Sequence, residues 1–173
     1  MKDGLNALYE RRSVRKYKSE QISDSELEQI LNAGLCAPSA MNRQPAIIIA
    51  VQDKDTIAYM SKLNAQVMGA NGDPFYGAPA ILIVLADKSV GTRVYDGSLV
   101  MGNMMLAAHS LNLGSIWIHR AKEEFELPEY QELLKELGVE GEWEGIAHCA
   151  VGYMDGELPE AADRKSGRVF WVE

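Results

Sequence analysis

Between about Val94 and Leu113 the chain is apolar nearly all round: Leu99, Val100, Met101, Met104, Met105, Leu106, Ala107, Ala108 and Leu111 leave no continuous polar stripe. A helix of this kind has little face to give to water, so it belongs at the centre of the fold or in a subunit interface. The rest of the chain must therefore supply apolar surface around it. Residues 46–51 and 80–86 are continuous apolar runs that read as buried strands, and 114–119 and 145–152 read as two more. Helical patterns lie between them: a short helix at 5–12, an amphipathic one at 54–68 and a surface helix at 128–137. Ser23-Asp24-Ser25-Glu26 has the S-x-x-E spacing of a capping box and opens a further helix. Its Leu27, Ile30, Leu31, Gly34 and Leu35 share one face, and Ala37-Pro38 ends it, because proline disfavours helical geometry in the residue before it. Residues 69–79 are loop. Strands alternating with helices predict a helix–sheet–helix sandwich whose strand order the sequence does not reveal. The last apolar run, Arg168-Val169-Phe170-Trp171-Val172, is strand-like, and pairing across a dimer would bury it better than a place on the surface.

The length, 173 residues, fits one domain spanning 1–173 with a sizeable core. Acidic residues outnumber basic ones, 25 to 17, which argues against broad nucleic-acid binding. The longest apolar stretch, 77–86, is half of what a membrane helix needs, and the first residues are polar, so a cytoplasmic protein is expected. Cys36 and Cys149 are too few for a disulfide framework, and His109, His119 and His148 have no metal-ligand spacing, so no metal is expected. Basic residues gather at two ends: Arg11, Arg12, Arg15, Lys16 and Lys18, then Arg164, Lys165 and Arg168. In an acidic chain such clusters point to local anion sites, although taken alone they read better as solvated patches.

Four stretches could carry chemistry. Arg11-Arg12-Ser13-Val14-Arg15 can converge on a phosphate, because each guanidinium is a planar fork that meets two oxygens at once. Ala37-Pro38-Ser39-Ala40-Met41-Asn42-Arg43-Gln44-Pro45 offers small and amide residues to a planar, polar-edged ring, or is a loop whose Ser and Asn satisfy their own backbone. Leu113 to Arg120 runs from a strand into a loop, where backbone N–H groups are left to donate; His119 itself reads as a structural histidine. Asp163-Arg164-Lys165 is the fourth. There is no Ser-His-Asp or paired-carboxylate constellation and no GxGxxG.

In order and spacing these stretches resemble the nitroreductase family of FMN-dependent NAD(P)H oxidoreductases: RRSVRKY at 11–17, APSAMNRQP at 37–45, FYGAP at 75–79, NMMLAAHSLNLGSIWI at 103–118, GY at 152–153 and RK at 164–165. The resemblance implies an α+β sandwich around a mainly antiparallel sheet of four to five strands. It also implies a homodimer with FMN at the subunit interface and the C-terminal segment pairing with the partner. Arg11, Ser13 and Arg164 would bind the FMN phosphate, supported by Arg12 and Lys165. Arg15 would sit at the pyrimidine edge near N1 and O2. Pro38, Ser39, Asn42 and Gln44 would reach the flavin from the other subunit, and the backbone of Ile118, His119 and Arg120 would lie along N5. Asn71 is a weaker candidate, and Asp73 a poor substitute for a cation. No side chain is expected to be catalytic, since the flavin carries the chemistry while NAD(P)H passes through as a transient co-substrate. The implied reaction is two-electron, ping-pong reduction of nitroaromatics or quinones. Rival readings are a related flavoenzyme (dehalogenation, enone reduction or dehydrogenation), an FMN storage protein, or a non-flavin binder of another phosphate ligand. Two departures from the family pattern stand out: the chain lacks the long insertion of larger members, and Ala46 replaces a common aromatic.

Overall fold

The computed structural model describes residues 4–173. Helix α1 (Gly4–Glu10) stops short of the expected 5–12, because from Arg11 the chain turns extended along a strand. Helix α2 (Asp24–Leu35) begins with the predicted box, Ser23 Oγ accepting from Glu26 N at 3.3 Å while the Glu26 carboxylate accepts from Ser23 N at 3.2 Å. Strand β1 (Ala46–Val51) and helix α3 (Lys54–Met68) follow with the expected bounds. Next come strand β2 (Ala80–Asp87), helix α4 (Arg93–Ser110) and strand β3 (Gly114–Ile118). Short helix α5 (Ala121–Glu124), helix α6 (Pro128–Glu136) and strand β4 (Trp143–Gly152) complete the order. The long apolar helix ends at Ser110 rather than near Leu113, because Asn112 takes a left-handed φ of 61° and Leu113 N closes back on Ala108 O at 2.8 Å.

The four strands form one sheet in the order β1-β2-β4-β3, and every neighbouring pair is antiparallel. Strand β2 is buried on both faces. Its Ile81, Ile83 and Leu85 meet Ile57, Met60, Phe125 and Tyr130 of α3 and the α5–α6 region. Its Leu82 and Val84 meet Leu27, Ile30, Val100, Met101 and Met104 of α2 and α4. This is the expected sandwich, with α4 against one face. Two glycines let neighbouring chain approach the β3–β4 edge. A Cβ on Gly114 would lie 2.8 Å from Val14, and one on Gly145 would lie 2.1 Å from the Ala121 carbonyl. Residues 11–17 thereby lie along β3: Ser13 bridges Ser115 in parallel, Val14 N donates to Ser115 O at 3.1 Å, and Tyr17 Oη donates to Val14 O at 2.9 Å and Ala150 O at 3.2 Å.

Residues 168–172 form no strand within the chain and are exposed. Among the described residues, no helix is long and apolar enough to cross a membrane.

Candidate functional site

The strip along β3 collects most of the predicted positions. Arg11 is half-buried, and its Nη1 is fully buried without a hydrogen-bond partner. Burial foremost, then the charge of Arg12 and, least, that of Arg164, pull the Arg11 pKa below its ordinary value. Arg12 is committed differently: its Nη1 donates to the carbonyls of Tyr9 and Arg11, both at 2.7 Å, while its Nε is buried and unpaired. Beside Ser13 the buried Ser115 Oγ also has no partner. Buried donors that find no acceptor in the protein are costly. Here they cluster with positive charge, which suits an incoming anion. Arg15 is exposed, with its guanidinium carbon 5.9 Å from the Tyr76 ring centroid, and Lys165 is exposed in the tail.

The loop after α2 is held in an unusual shape. Met41, Asn42 and Gln44 have φ of 56°, 54° and 47°, left-handed values that cost on the order of 1–3 kcal/mol each for residues other than glycine. Ser39 Oγ accepts from Gln44 N at 2.9 Å, and Gln44 Nε2 donates to Asn42 Oδ1 at 2.9 Å. From α4 the buried Asp96 accepts from Ala40 N at 3.0 Å and from Thr92 Oγ1 at 2.7 Å. Pro38, Asn42 and Gln44 are exposed, and Ser39 is half-buried. This loop leads into β1, whereas residues 11–15 flank β3 at the opposite edge. Three strand spacings, roughly 14 Å, separate the two groups across the sheet. One chain therefore does not bring them together.

At the end of β3, Ile118 is buried and His119 is exposed, with its Nδ1 accepting from Trp117 Nε1 at 3.1 Å. Arg120 adopts φ 80° and ψ 2°, which stops the strand one residue earlier than expected and opens α5. Behind this junction lies a polar cluster that no motif in the sequence marks. Asn64 Nδ2 donates to His119 O at 3.0 Å and to Glu124 Oε2 at 2.8 Å, and Asn64 Oδ1 accepts from Arg120 Nε at 2.9 Å. Tyr130 Oη donates to Glu124 Oε1 at 2.9 Å, and His148 Nε2 lies 3.2 Å from Glu124 Oε2. Burial pushes the Glu124 carboxyl up to about 7 and the His148 imidazole down to about 3.

Asp73 is structural. It accepts from Ser61 Oγ at 2.5 Å, Phe75 N at 2.8 Å and Gly77 N at 2.5 Å, shaping the loop before β2, while Asn71 is exposed. A groove of about 730 Å³ opens between α3 and that loop, but it is lined by residues such as Lys54, Ser61 and Lys62, not by the arginine strip. Among the described residues no group of three His, Cys, Asp or Glu side chains could hold a metal ion.

The fold is a helix–sheet–helix α+β frame with unpaired guanidinium donors along an edge strand. The comparisons with known proteins narrow the class. The model of the Nitroreductase family matches residues 8–77 and 66–153. A protein of Archaeoglobus fulgidus provisionally named NADH dehydrogenase/NAD(P)H nitroreductase is 35% identical over 171 residues, which is 95% of this chain and 94% of the relative. The FMN reductase (NAD(P)H) of Bacillus subtilis is 29% identical over 160 residues, 75% of this chain and 62% of the relative. The crystal structure of a nitroreductase with bound FMN from Bacteroides fragilis shares the fold at a TM-score of 0.90, with 27% identity over 100% of both chains. The chain belongs to the nitroreductase family.

Proposed function

We propose that the protein binds FMN and passes hydride from NAD(P)H to small electrophiles such as nitroaromatics or quinones, working as a homodimer in the cytoplasm. The observation that carries this is the buried, unpartnered Arg11 Nη1 in the arginine-rich stretch that runs along β3, where the buried Ser115 Oγ opposite Ser13 also lacks a partner. Donors of that kind fit a phosphate monoester. Arg11, Ser13 and Arg164 would hold it, Lys165 would add charge, and Arg12, tied to the backbone, would stiffen the turn. Arg15 would meet the pyrimidine edge, and the backbone of Ile118, His119 and Arg120 the N5 edge. Bound there, FMN supplies a two-electron hydride acceptor and donor that no side chain of the chain could provide.

Pro38, Ser39, Asn42 and Gln44 would come from a second copy, a reading supported by their place at the far edge of the sheet. Exposed apolar side chains support a dimer as well: Leu8 and Tyr9 on α1, Tyr95 and Leu99 on α4. Strand β1 also has an open edge, available to residues 168–172 of a partner. The test is spectroscopic. The purified protein is expected to show flavin absorbance, or to acquire it with added FMN, and to bleach rapidly on anaerobic titration with NADH or NADPH. A protein that takes up no FMN overturns the reading, and one that binds FMN without being reduced is a storage protein.

A further inference from the structure

Asn64 is fully buried on α3 and commits its whole amide to one junction. It holds the His119 carbonyl, the Glu124 carboxylate and the Arg120 side chain, at 3.0, 2.8 and 2.9 Å. Glu124 is anchored in turn by Tyr130 and lies against His148, and all four side chains are closed off from solvent. An apolar plug of similar volume would fill this space at less cost than a buried carboxyl and imidazole. Stability therefore does not account for the cluster. Its effect is to fix the two peptides that flank Arg120. A trans peptide is planar with its C=O and N–H on opposite sides. Holding the His119 carbonyl inward on Asn64 turns the Arg120 N–H outward. On the other side, Arg120 O accepts from Glu124 N at 2.9 Å. Between these bonds Arg120 sits at φ 80°, a region that residues with a Cβ seldom occupy without support.

We propose that Asn64, backed by Glu124, is a positioning residue for hydride transfer: it aims the Arg120 N–H at the flavin N5 edge. This rests on the FMN reading above. A donor already oriented at the atom that receives hydride assists the transfer without reorganising when it occurs. Asn64 touches neither flavin nor substrate, so its loss should leave cofactor binding intact and slow the transfer.

The experiment compares wild type with Asn64→Leu, which keeps the volume, and with Arg120→Met, which removes the bond from Arg120 Nε to Asn64 Oδ1 and so loosens the grip of the Asn64 amide on the junction. Two readouts are taken. In the flavin-free protein, amide hydrogen exchange at Glu124 and Phe125, whose N–H groups donate to Arg120 O and Ala121 O, is expected to quicken at least tenfold in Asn64→Leu, and less in Arg120→Met. In the FMN-loaded protein, single-turnover reduction is expected to show a limiting rate about tenfold lower in Asn64→Leu and severalfold lower in Arg120→Met. In Asn64→Leu, half-saturation by NAD(P)H and the affinity for FMN should be unchanged within about twofold. Wild-type protein that binds no FMN overturns the function reading and this proposal with it. Wild type that loads and reduces normally, with both variants reducing at the wild-type rate, overturns the positioning role alone. Should Asn64→Leu fail to fold, an unchanged limiting rate in Arg120→Met overturns it too.

Discussion

Arg11 differs from the other arginines of its cluster in what its guanidinium has left to bind. Arg12 has already given Nη1 to two carbonyls, and Arg15 is exposed above Tyr76, but Arg11 Nη1 is buried and unpaired. Arg11→Ala should therefore weaken FMN binding about tenfold to a hundredfold, the equivalent of roughly 1.5–3 kcal/mol for a charge-assisted bond. The apoprotein should stay folded, since the change removes a buried donor with no partner. Flavin fluorescence titration measures this, and wild-type affinity would return the arginines to the status of a solvated patch. Arg15 has another expected role. Two-electron reduction puts negative charge at N1 and O2, which a guanidinium favours over the neutral ring. Arg15→Ala should bind oxidised FMN only modestly less well, yet lower the midpoint potential by roughly 30–65 mV, taking about 30 mV per 1.4 kcal/mol. An unchanged midpoint in spectroelectrochemical titration would remove Arg15 from the N1 edge. These arginines stood out in the sequence because like charges gathered in an acidic chain. Asn64 and Glu124 did not: one amide in an amphipathic helix and one Glu in a Glu-rich run look solvated until the fold closes over them.

At the scale of elements, α5 shows how a few residues can bring a pH dependence into the sandwich. Gly145 on β4 lets Ala121 come down against the sheet, and this carries Glu124 into the interior beside His148. Burial raises the Glu124 carboxyl from 4.5 to about 7. A carboxyl raised on folding contributes stability that is fully present below its unfolded value, near 4.5, and is lost as pH rises through its folded value, near 7. Burial lowers His148 from 6.5 to about 3, so its contribution is present above 6.5 and lost as pH falls toward 3. Together the folded pair holds one proton between about 3 and 7, and the unfolded pair holds one between about 4.5 and 6.5. Their joint contribution is thus greatest and flat from about pH 4.5 to 6.5. Denaturant unfolding of wild type and Glu124→Gln across pH isolates the carboxyl. The stability of wild type relative to the variant should fall by roughly 3 kcal/mol between pH 4.5 and 7 and then level off. A difference that stays constant with pH would mean that Glu124 is already ionised in the fold. The elements themselves were mostly legible. Strands β1 and β2 are continuous apolar runs because both their faces are covered, and α2 announces its start with Ser23 and Glu26. The ends of α4 and β3 were less so, since they depend on left-handed backbone at Asn112 and Arg120, and neither residue type marks that conformation as glycine does.

For the molecule as a whole, what the single chain leaves uncovered matters more than what it buries. Apolar side chains of α1 and α4 face outward, Tyr95 at 73% exposure and Leu99 at 47%, although α4 is the helix whose sequence promised the least solvent face. The tail ends with Phe170 and Trp171 at 88% and 83% exposure, and β1 has a free edge. A second copy, as proposed above, would cover all three surfaces, with the α1–α4 faces apposed and residues 168–172 laid along the partner's β1. Fully burying a large apolar side chain contributes about 1.5–3 kcal/mol. The exchange of Val169, Phe170, Trp171 and Val172 in both directions would thus supply a large share of the dimer's stability. Deleting residues 168–173 tests it. Because this exposed segment forms no strand with the described residues, the truncated protein should keep wild-type far-UV circular dichroism. Its dimer dissociation constant in sedimentation velocity should rise by at least a hundredfold, and FMN should be lost along with the dimer under the proposed arrangement, in which Ser39 and Asn42 complete the partner's site. Truncated protein that sediments as a tight dimer but still binds FMN would show that the α1–α4 face suffices alone. Truncated protein that binds FMN as a monomer would overturn the assignment of the 38–44 loop to the partner's site.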